Sequence, residues 1–557
     1  MKFLDAVSFC IIGIGCVFCC TAQPEVTAPI GRIHGSIIRS RLGREIYSFR
    51  GVRYAEPPTG ERRFQIPVPA ADWDDVFDAS QEGPACPNLR NTNISEDCLR
   101  LNVYTTKLPS ERENPNRSVL VYFHPGGFYD MSGQSLYWGP QYLLDQDVVL
   151  VTVNNRLGSL GFISTGDSLA PGNLGFKDQV IALRWIQRNI AAFGGDPNSV
   201  TISGCSIGGT SVMLHMVSPM SKGLFHRAIV MSGELMINEP YPTDQMNLAQ
   251  KQARILDCPT DNSTVILNCL RSRPVENFRN TLFQFFEVGE TPVVIWKAVV
   301  EPEIPGIERF LPAQPVDLIQ RGEFFQVPTM FGVTKDEIAC LTVMFNNLSK
   351  IGIDMYGMYE GRWYHEAPVN LVYEEGTPRS RNISDQLRQF YFNDQPFSSD
   401  NGDNFTHLMS DGLIIFPMYR AAKLIAQNSK EPLYFYESTY QGRYSMIMLN
   451  ATTPYGVVHM DDTQYLFYFS IEFPYFDETA PEIPMVELYT SLWASFMQTG
   501  KPVLKDNALT NTTTSWDRFL PDLDNYLEIS LEPTMKTNLY INRMREWEKL
   551  FPLPYPT

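Results

Sequence analysis

The pentapeptide Gly204-Cys205-Ser206-Ile207-Gly208 constrains this chain more tightly than any other stretch of it. The β-favouring run Val200-Thr201-Ile202-Ser203 precedes it, and the helical stretch Gly209-Thr210-Ser211-Val212-Met213-Leu214 follows it. A serine between such flanks must sit on a sharp strand-to-helix turn in strained backbone angles. Glycines two residues to either side let the neighbouring chain approach closely enough for that turn to close. Ser206 is therefore a candidate nucleophile. A G-x-S-x-G match alone is an ordinary turn in many long chains, so the reading depends on its surroundings.

Those surroundings alternate between two periodicities. Ser118-Val119-Leu120-Val121-Tyr122-Phe123 and Val148-Val149-Leu150-Val151-Thr152-Val153 are continuous, β-branched and bounded by polar or glycine residues, as buried strands are. From Asp178 to Phe193 the spacing becomes helical: Leu183, Ile186, Ile190 and Phe193 recur at three- and four-residue steps, and Gly194-Gly195-Asp196-Pro197 stops the helix. Further strands are expected at Ala228–Met231, Thr329–Val333 and Leu433–Tyr436, with a helical insertion between about 340 and 430. The pattern predicts an α/β fold with a central, mostly parallel sheet flanked by helices. Neither an internal repeat nor a Pro/Ser-rich linker divides the chain, so 23–557 is expected to form a single domain.

Residues 1–22 are expected to be a secretory signal peptide. Met1-Lys2 precede a mainly apolar stretch from Ala6 to Cys20, and a small-residue exit follows, with cleavage near Ala22 or Gln23. Cys10, Cys16, Cys19 and Cys20 fall in that leader. Of the others, Cys86 lies near Cys98 and Cys258 near Cys269, and each pair would close a short surface loop in an oxidising compartment. Cys205 and Cys340 are expected to be buried thiols. Sequons at Asn93, Asn116, Asn262, Asn347, Asn382, Asn404, Asn450 and Asn511 predict a glycosylated extracellular protein. With 62 acidic against 45 basic residues and a net charge of -17, nucleic acid is excluded as a partner. No second apolar run of membrane length follows the leader. The oligomeric state is not legible.

A serine hydroxyl needs a base, and the base needs an acid to orient it. His459, in Tyr455-Gly456-Val457-Val458-His459-Met460-Asp461-Asp462, follows the Leu433 strand on a loop that could reach the sheet's edge, whereas His365 and His407 lie in the insertion. Asp336 and Glu337 both follow the Thr329 strand directly, and spacing does not choose between them. His124-Pro125-Gly126-Gly127-Phe128, directly after the Ser118 strand, supplies a glycine turn whose Gly126 and Gly127 N–H groups, with that of Ile207, would bind an oxyanion.

Taken together these segments resemble the type-B carboxylesterase and cholinesterase family. The similarity runs from about Gly31 to Leu550 and includes Phe49-Arg50-Gly51-Val52-Arg53-Tyr54-Ala55-Glu56-Pro57-Pro58, Ser95-Glu96-Asp97-Cys98-Leu99-Arg100-Leu101-Asn102-Val103-Tyr104 and Phe193-Gly194-Gly195-Asp196-Pro197. The resemblance implies an α/β-hydrolase fold with a deep, partly aromatic gorge and a triad of Ser206, Glu337 and His459, which selects Glu337 over Asp336. It also implies disulfides Cys86–Cys98 and Cys258–Cys269. The expected function is a secreted serine hydrolase that cleaves small carboxylic esters through an acyl-enzyme on Ser206, with no metal or organic cofactor. The alternative is a weakly active or inactive binding, adhesion or ligand-carrier protein on the same fold.

The chain departs from the family pattern at three positions. Cys205 replaces the usual glutamate or glutamine before the nucleophile, Ile207 replaces the usual alanine after it, and Pro125 replaces the first glycine of the oxyanion turn and has no N–H. All three triad positions remain filled. The Pro87–Asp97 loop holds no tryptophan, which argues against choline esters. Secreted insect-type esterases, including those that hydrolyse juvenile hormone, are the relatives the resemblance leaves, without selecting one.

Overall fold

Side chains alternate across a strand, and in this protein the central strands feed two separate apolar cores. On one face Val119, Val121, Phe123, Val149, Val151, Val200, Ile202, Ala228, Val230, Phe331 and Val333 pack together. Their neighbours Leu120, Tyr122, Leu150, Cys205, Ile229, Met231 and Met330 point to the other face and join a second cluster. The computed structural model describes residues 23–235, 238–450, 453–504 and 515–555. The expected leader, Asn511 and the side chain of Asn450 lie outside the described residues.

The sheet that separates the cores has eleven strands. In chain order they are β1 (Ser36–Arg39), β2 (Glu45–Arg53), β3 (Arg100–Thr105), β4 (Arg117–Phe123), β5 (Val149–Val153), β6 (Gly195–Cys205), β7 (Arg227–Met231), β8 (Thr329–Thr334), β9 (Leu433–Ser438), β10 (Asn525–Ile529) and β11 (Thr534–Thr537). Their spatial order is β11-β10-β9-β8-β7-β6-β4-β5-β3-β2-β1. Every pairing from β5 through β10 is parallel, and the pairings beyond β5 on one side and β10 on the other are antiparallel. The fold is that of an α/β-hydrolase, with antiparallel margins at both edges. Strand β6 begins at Gly195, where a helix stop was expected, because Gly195 pairs with Arg117 of β4.

Helices cover both faces. Leu174–Asn189 buries Leu183 and Ile186, and a 3-10 turn, Ile190–Phe193, continues the stripe to Ile190 and Phe193. This helix and Ile207–Val217 belong to the first core, while Ile483–Thr499 brings Tyr489, Leu492, Trp493 and Phe496 to the second. The region 339–428 is helical and includes a π-helical turn, Asp411–Ile415. No helix among the described residues is long and apolar enough to cross a membrane.

Cys86 is bonded to Cys98 and Cys258 to Cys269. Cys205 is fully buried, but Cys340, expected to be buried, is only partly covered. It sits in the first turn of the helix Ala339–Lys350 and lines a central cavity. Asn93, Asn116, Asn262, Asn347, Asn382 and Asn404 are all exposed.

Candidate active site

The parallel strands all end on one edge, and the candidate residues follow those ends, where ligands of open α/β sheets bind. Ser206 follows β6 with φ 58° and ψ −130°, angles a side chain seldom adopts, and it starts the helix Ile207–Val217. Its N–H is held by Met231 O at 2.9 Å. The flanking glycines are required by contact. A Cβ on Gly204 would stand 2.3 Å from Gly208 C, and one on Gly208 would stand 2.1 Å from Phe123 O. The tight turn therefore presses the helix onto β4 and leaves Ser206 facing outward.

Glu337, fully buried, follows β8. Its Oε2 is 2.6 Å from His459 Nδ1, and its Oε1 accepts from Ser232 Oγ at 2.6 Å and from Thr334 N at 2.7 Å. His459 N–H donates back to Glu337 O at 2.9 Å. Asp336 is engaged differently. Its N–H donates to Val457 O at 2.9 Å, and its Oδ2 accepts from Val457 N at 3.0 Å. One acidic residue thus clamps the loop and its neighbour touches the ring. Burial pulls the His459 imidazolium down, but the Glu337 hydrogen bond and charge, with Asp462 and Glu234 nearby, outweigh it and leave its pKa above the usual 6.5. Ser206 Oγ makes no hydrogen bond among the described residues. It lines the same cavity as His459, and such contacts commonly tighten only when substrate binds.

Gly126 (φ 115°) and Gly127 (φ 63°) turn directly after β4. Gly126 O accepts from Tyr129 N and Asp130 N, at 2.9 and 2.8 Å, which fixes the turn without using its donors. Among the described residues the N–H groups of Gly126, Gly127 and Ile207 have no acceptor, and all three residues line the cavity. Pro125 stands before the turn and its carbonyl lies 2.7 Å from His124 Nδ1. Burial pushes His124 down to about 4, so it is neutral at ordinary pH.

The cavity measures about 320 Å³. Its walls are largely apolar, built by Phe283, Phe286, Val293, Trp296 and Ile414. Behind His459 lies Asp462, fully buried, whose Oδ2 accepts from Tyr436 OH at 2.8 Å. Burial pushes this carboxyl up to about 7. Gly332 in β8 makes the contact possible, since a Cβ there would stand 1.8 Å from the Tyr436 ring. Cys205 packs on the same face as Tyr436, so the residue before the nucleophile adds no second carboxyl beside Asp462. His365, bonded to Glu287 and Glu375, and His407 in the helix Gly402–Ser410 are not in the cavity wall.

Ser232, Glu234 and Asp462 were not singled out from sequence. A signal existed for Ser232, which follows β7 as Ser206 follows β6, and Cys205 pairs with Met231 in the sheet. Asp462 stands three residues beyond His459, in the same loop.

A family model described as "Carboxylesterase family" matches residues 22–547. Esterase FE4 of Myzus persicae is 38% identical over 510 residues, covering 88% of this chain and 87% of the relative. Juvenile hormone esterase of Tribolium castaneum is 32% identical over 513 residues, covering 86% of this chain and 84% of that protein. Among solved structures, juvenile hormone esterase from Manduca sexta, with OTFP covalently attached, superposes with a TM-score of 0.82 at 26% identity, covering 95% of this chain and 100% of the other.

Proposed function

The chain belongs to the carboxylesterase family, and from that premise we propose that Ser206, His459 and Glu337 carry out its ester hydrolysis. The protein is a serine ester hydrolase, and the assignment of roles rests above all on the 2.6 Å bond between buried Glu337 and His459 Nδ1. Because Nδ1 is engaged, Nε2 is the nitrogen left to accept the Ser206 proton. Ser206 Oγ then attacks the ester carbonyl, and the oxygen that becomes negative is bound by the N–H groups of Gly126, Gly127 and Ile207. His459 returns the proton to the leaving alcohol. Water repeats the sequence on the acyl-enzyme, with Glu337 stabilising the imidazolium each time.

His459 must be neutral to act as base, so kcat/KM for an aryl ester is expected to fall as pH drops through an inflection that His459 shares with its neighbours Asp462 and Glu234. That inflection is expected above 6.5, since Glu337 raises the imidazole pKa. In Glu337→Gln the inflection moves to lower pH and kcat drops. A wild-type profile that is flat through this range would remove His459 from the base role.

We also propose that the protein is secreted and glycosylated. The apolar leader, two disulfides and six exposed sequon asparagines among the described residues support this. Expression with residues 1–22 in a secreting eukaryotic host is expected to deliver the protein to the medium, with a gel mobility that N-glycosidase increases. Retention in the cell, or unchanged mobility, would count against it.

A further inference from the structure

Glu234 lies three residues beyond the end of β7 and lines the cavity that holds Ser206 and His459. It is 7% exposed. Its backbone N–H donates to Thr210 Oγ1 at 3.0 Å, which ties the residue to the first turn of the helix Ile207–Val217 that follows the sharp turn, or elbow, at Ser206. Its carboxyl has neither a hydrogen bond nor an ion pair among the described residues. Two nearby cations are already held elsewhere. Lys297 Nζ is 2.9 Å from Glu239, and Arg90 is 2.8 Å from Asp130. Glu290 also lines the cavity, exposed and without an ion pair among the described residues, so it adds charge of the same sign.

A carboxyl held in a mostly apolar wall with no protein partner depends on whatever fills the cavity. Water can serve an empty site. An ester that displaces the water and offers only methyl groups leaves the oxygens unbonded, whereas one that brings a donor restores the bond. Sites built in this way discriminate strongly against ligands that lack the donor. Burial pushes the Glu234 pKa up to about 7, with Lys297 and His459 opposing, so above neutral pH the group is an acceptor only.

Resting on the roles proposed for Ser206 and His459, we propose that Glu234 selects esters carrying a hydrogen-bond donor, a hydroxyl or an ammonium, within a few bonds of the scissile carbonyl. The donor satisfies the carboxylate in the wall, and the rest of the substrate lies against Phe286, Val293 and Trp296.

The test compares kcat/KM at pH 8 for matched aryl esters that differ at one acyl position, methyl, hydroxyl or ammonium, and for a second series varied in the same way on the alcohol side. Wild type, Glu234→Gln and Glu234→Leu are assayed with each. The wild-type preference for a donor ester over its methyl partner is expected to fall at least about tenfold in Glu234→Leu. Glu234→Gln retains a hydroxyl preference and loses an ammonium preference, which distinguishes the two donors. A donor-to-methyl ratio that is the same in wild type and Glu234→Leu, whether the rates hold or drop in parallel, overturns the proposal and leaves the triad reading standing. A wild type inert toward every ester overturns both.

Discussion

Replacing Ser206 with alanine is expected to lower kcat/KM for a short aryl ester by about four to six orders of magnitude, since removing the nucleophile of such a triad disables the unit as a whole. Stability is expected to be almost unchanged. The hydroxyl makes no hydrogen bond among the described residues, and alanine places a Cβ in the same unusual backbone angles that serine already tolerates at φ 58°. Steady-state kinetics together with a thermal melt separate the two effects. A variant that keeps even a hundredth of the wild-type rate would point to a different nucleophile.

The second large effect is structural in origin. In Gly208→Ala the new Cβ would lie 2.1 Å from Phe123 O, 2.9 Å from Phe123 C and 3.1 Å from His124 O, all backbone atoms that cannot rotate away. The helix Ile207–Val217 must lift off β4, carrying Ser206 away from Gly126 and Gly127. Overpacking of this kind destabilises by roughly 1–3 kcal/mol or more. Displacing a nucleophile by about 1 Å costs on the order of a hundredfold in rate. Gly361→Ala is the control, because nothing lies within 4 Å of its added Cβ and the backbone there is not in the left-handed region. Loss of both activity and thermal midpoint in Gly208→Ala, with neither lost in Gly361→Ala, is the expected pattern. A fully active Gly208→Ala would mean that the elbow yields without displacing Ser206.

The features legible in the sequence are those in which a short run of residues settles its own geometry. Gly204 could be read as necessary because the five-residue turn brings its Cα against the Gly208 backbone, whereas the close contact that requires Gly208, with Phe123 O of β4, is a tertiary one. Val119 to Phe123 announced a strand buried on both faces because alternate residues feed both cores. The choice between Asp336 and Glu337 was different in kind. Both are acidic and both follow β8, and only the return of the Val457–His459 loop decides which carboxylate meets the ring and which meets the backbone.

Residues whose role depends wholly on distant partners left the weakest trace. Ser232 gains its meaning from Glu337, and Asp462 from Tyr436, which itself needs the space that Gly332 vacates. The wall between Leu282 and Trp296 has mostly loop-like local structure and carries no periodic pattern, yet it supplies Phe283, Phe286 and Val293 to the cavity. The antiparallel margins β1 to β3 were also not anticipated. Phe49 to Tyr54 stood out as a conspicuous run, but its pairing with Arg100–Thr105 is set by tertiary register.

An organophosphate that phosphorylates activated serines reports whether Ser206, on its sharp turn facing the cavity, is the reacting residue. Intact-mass measurement is expected to find one adduct per chain, peptide mapping to locate it on the segment containing Ser206, and Ser206→Ala to remain unmodified. Activity that is abolished while the adduct maps to another residue, or full activity with Ser206 quantitatively modified, would contradict the account.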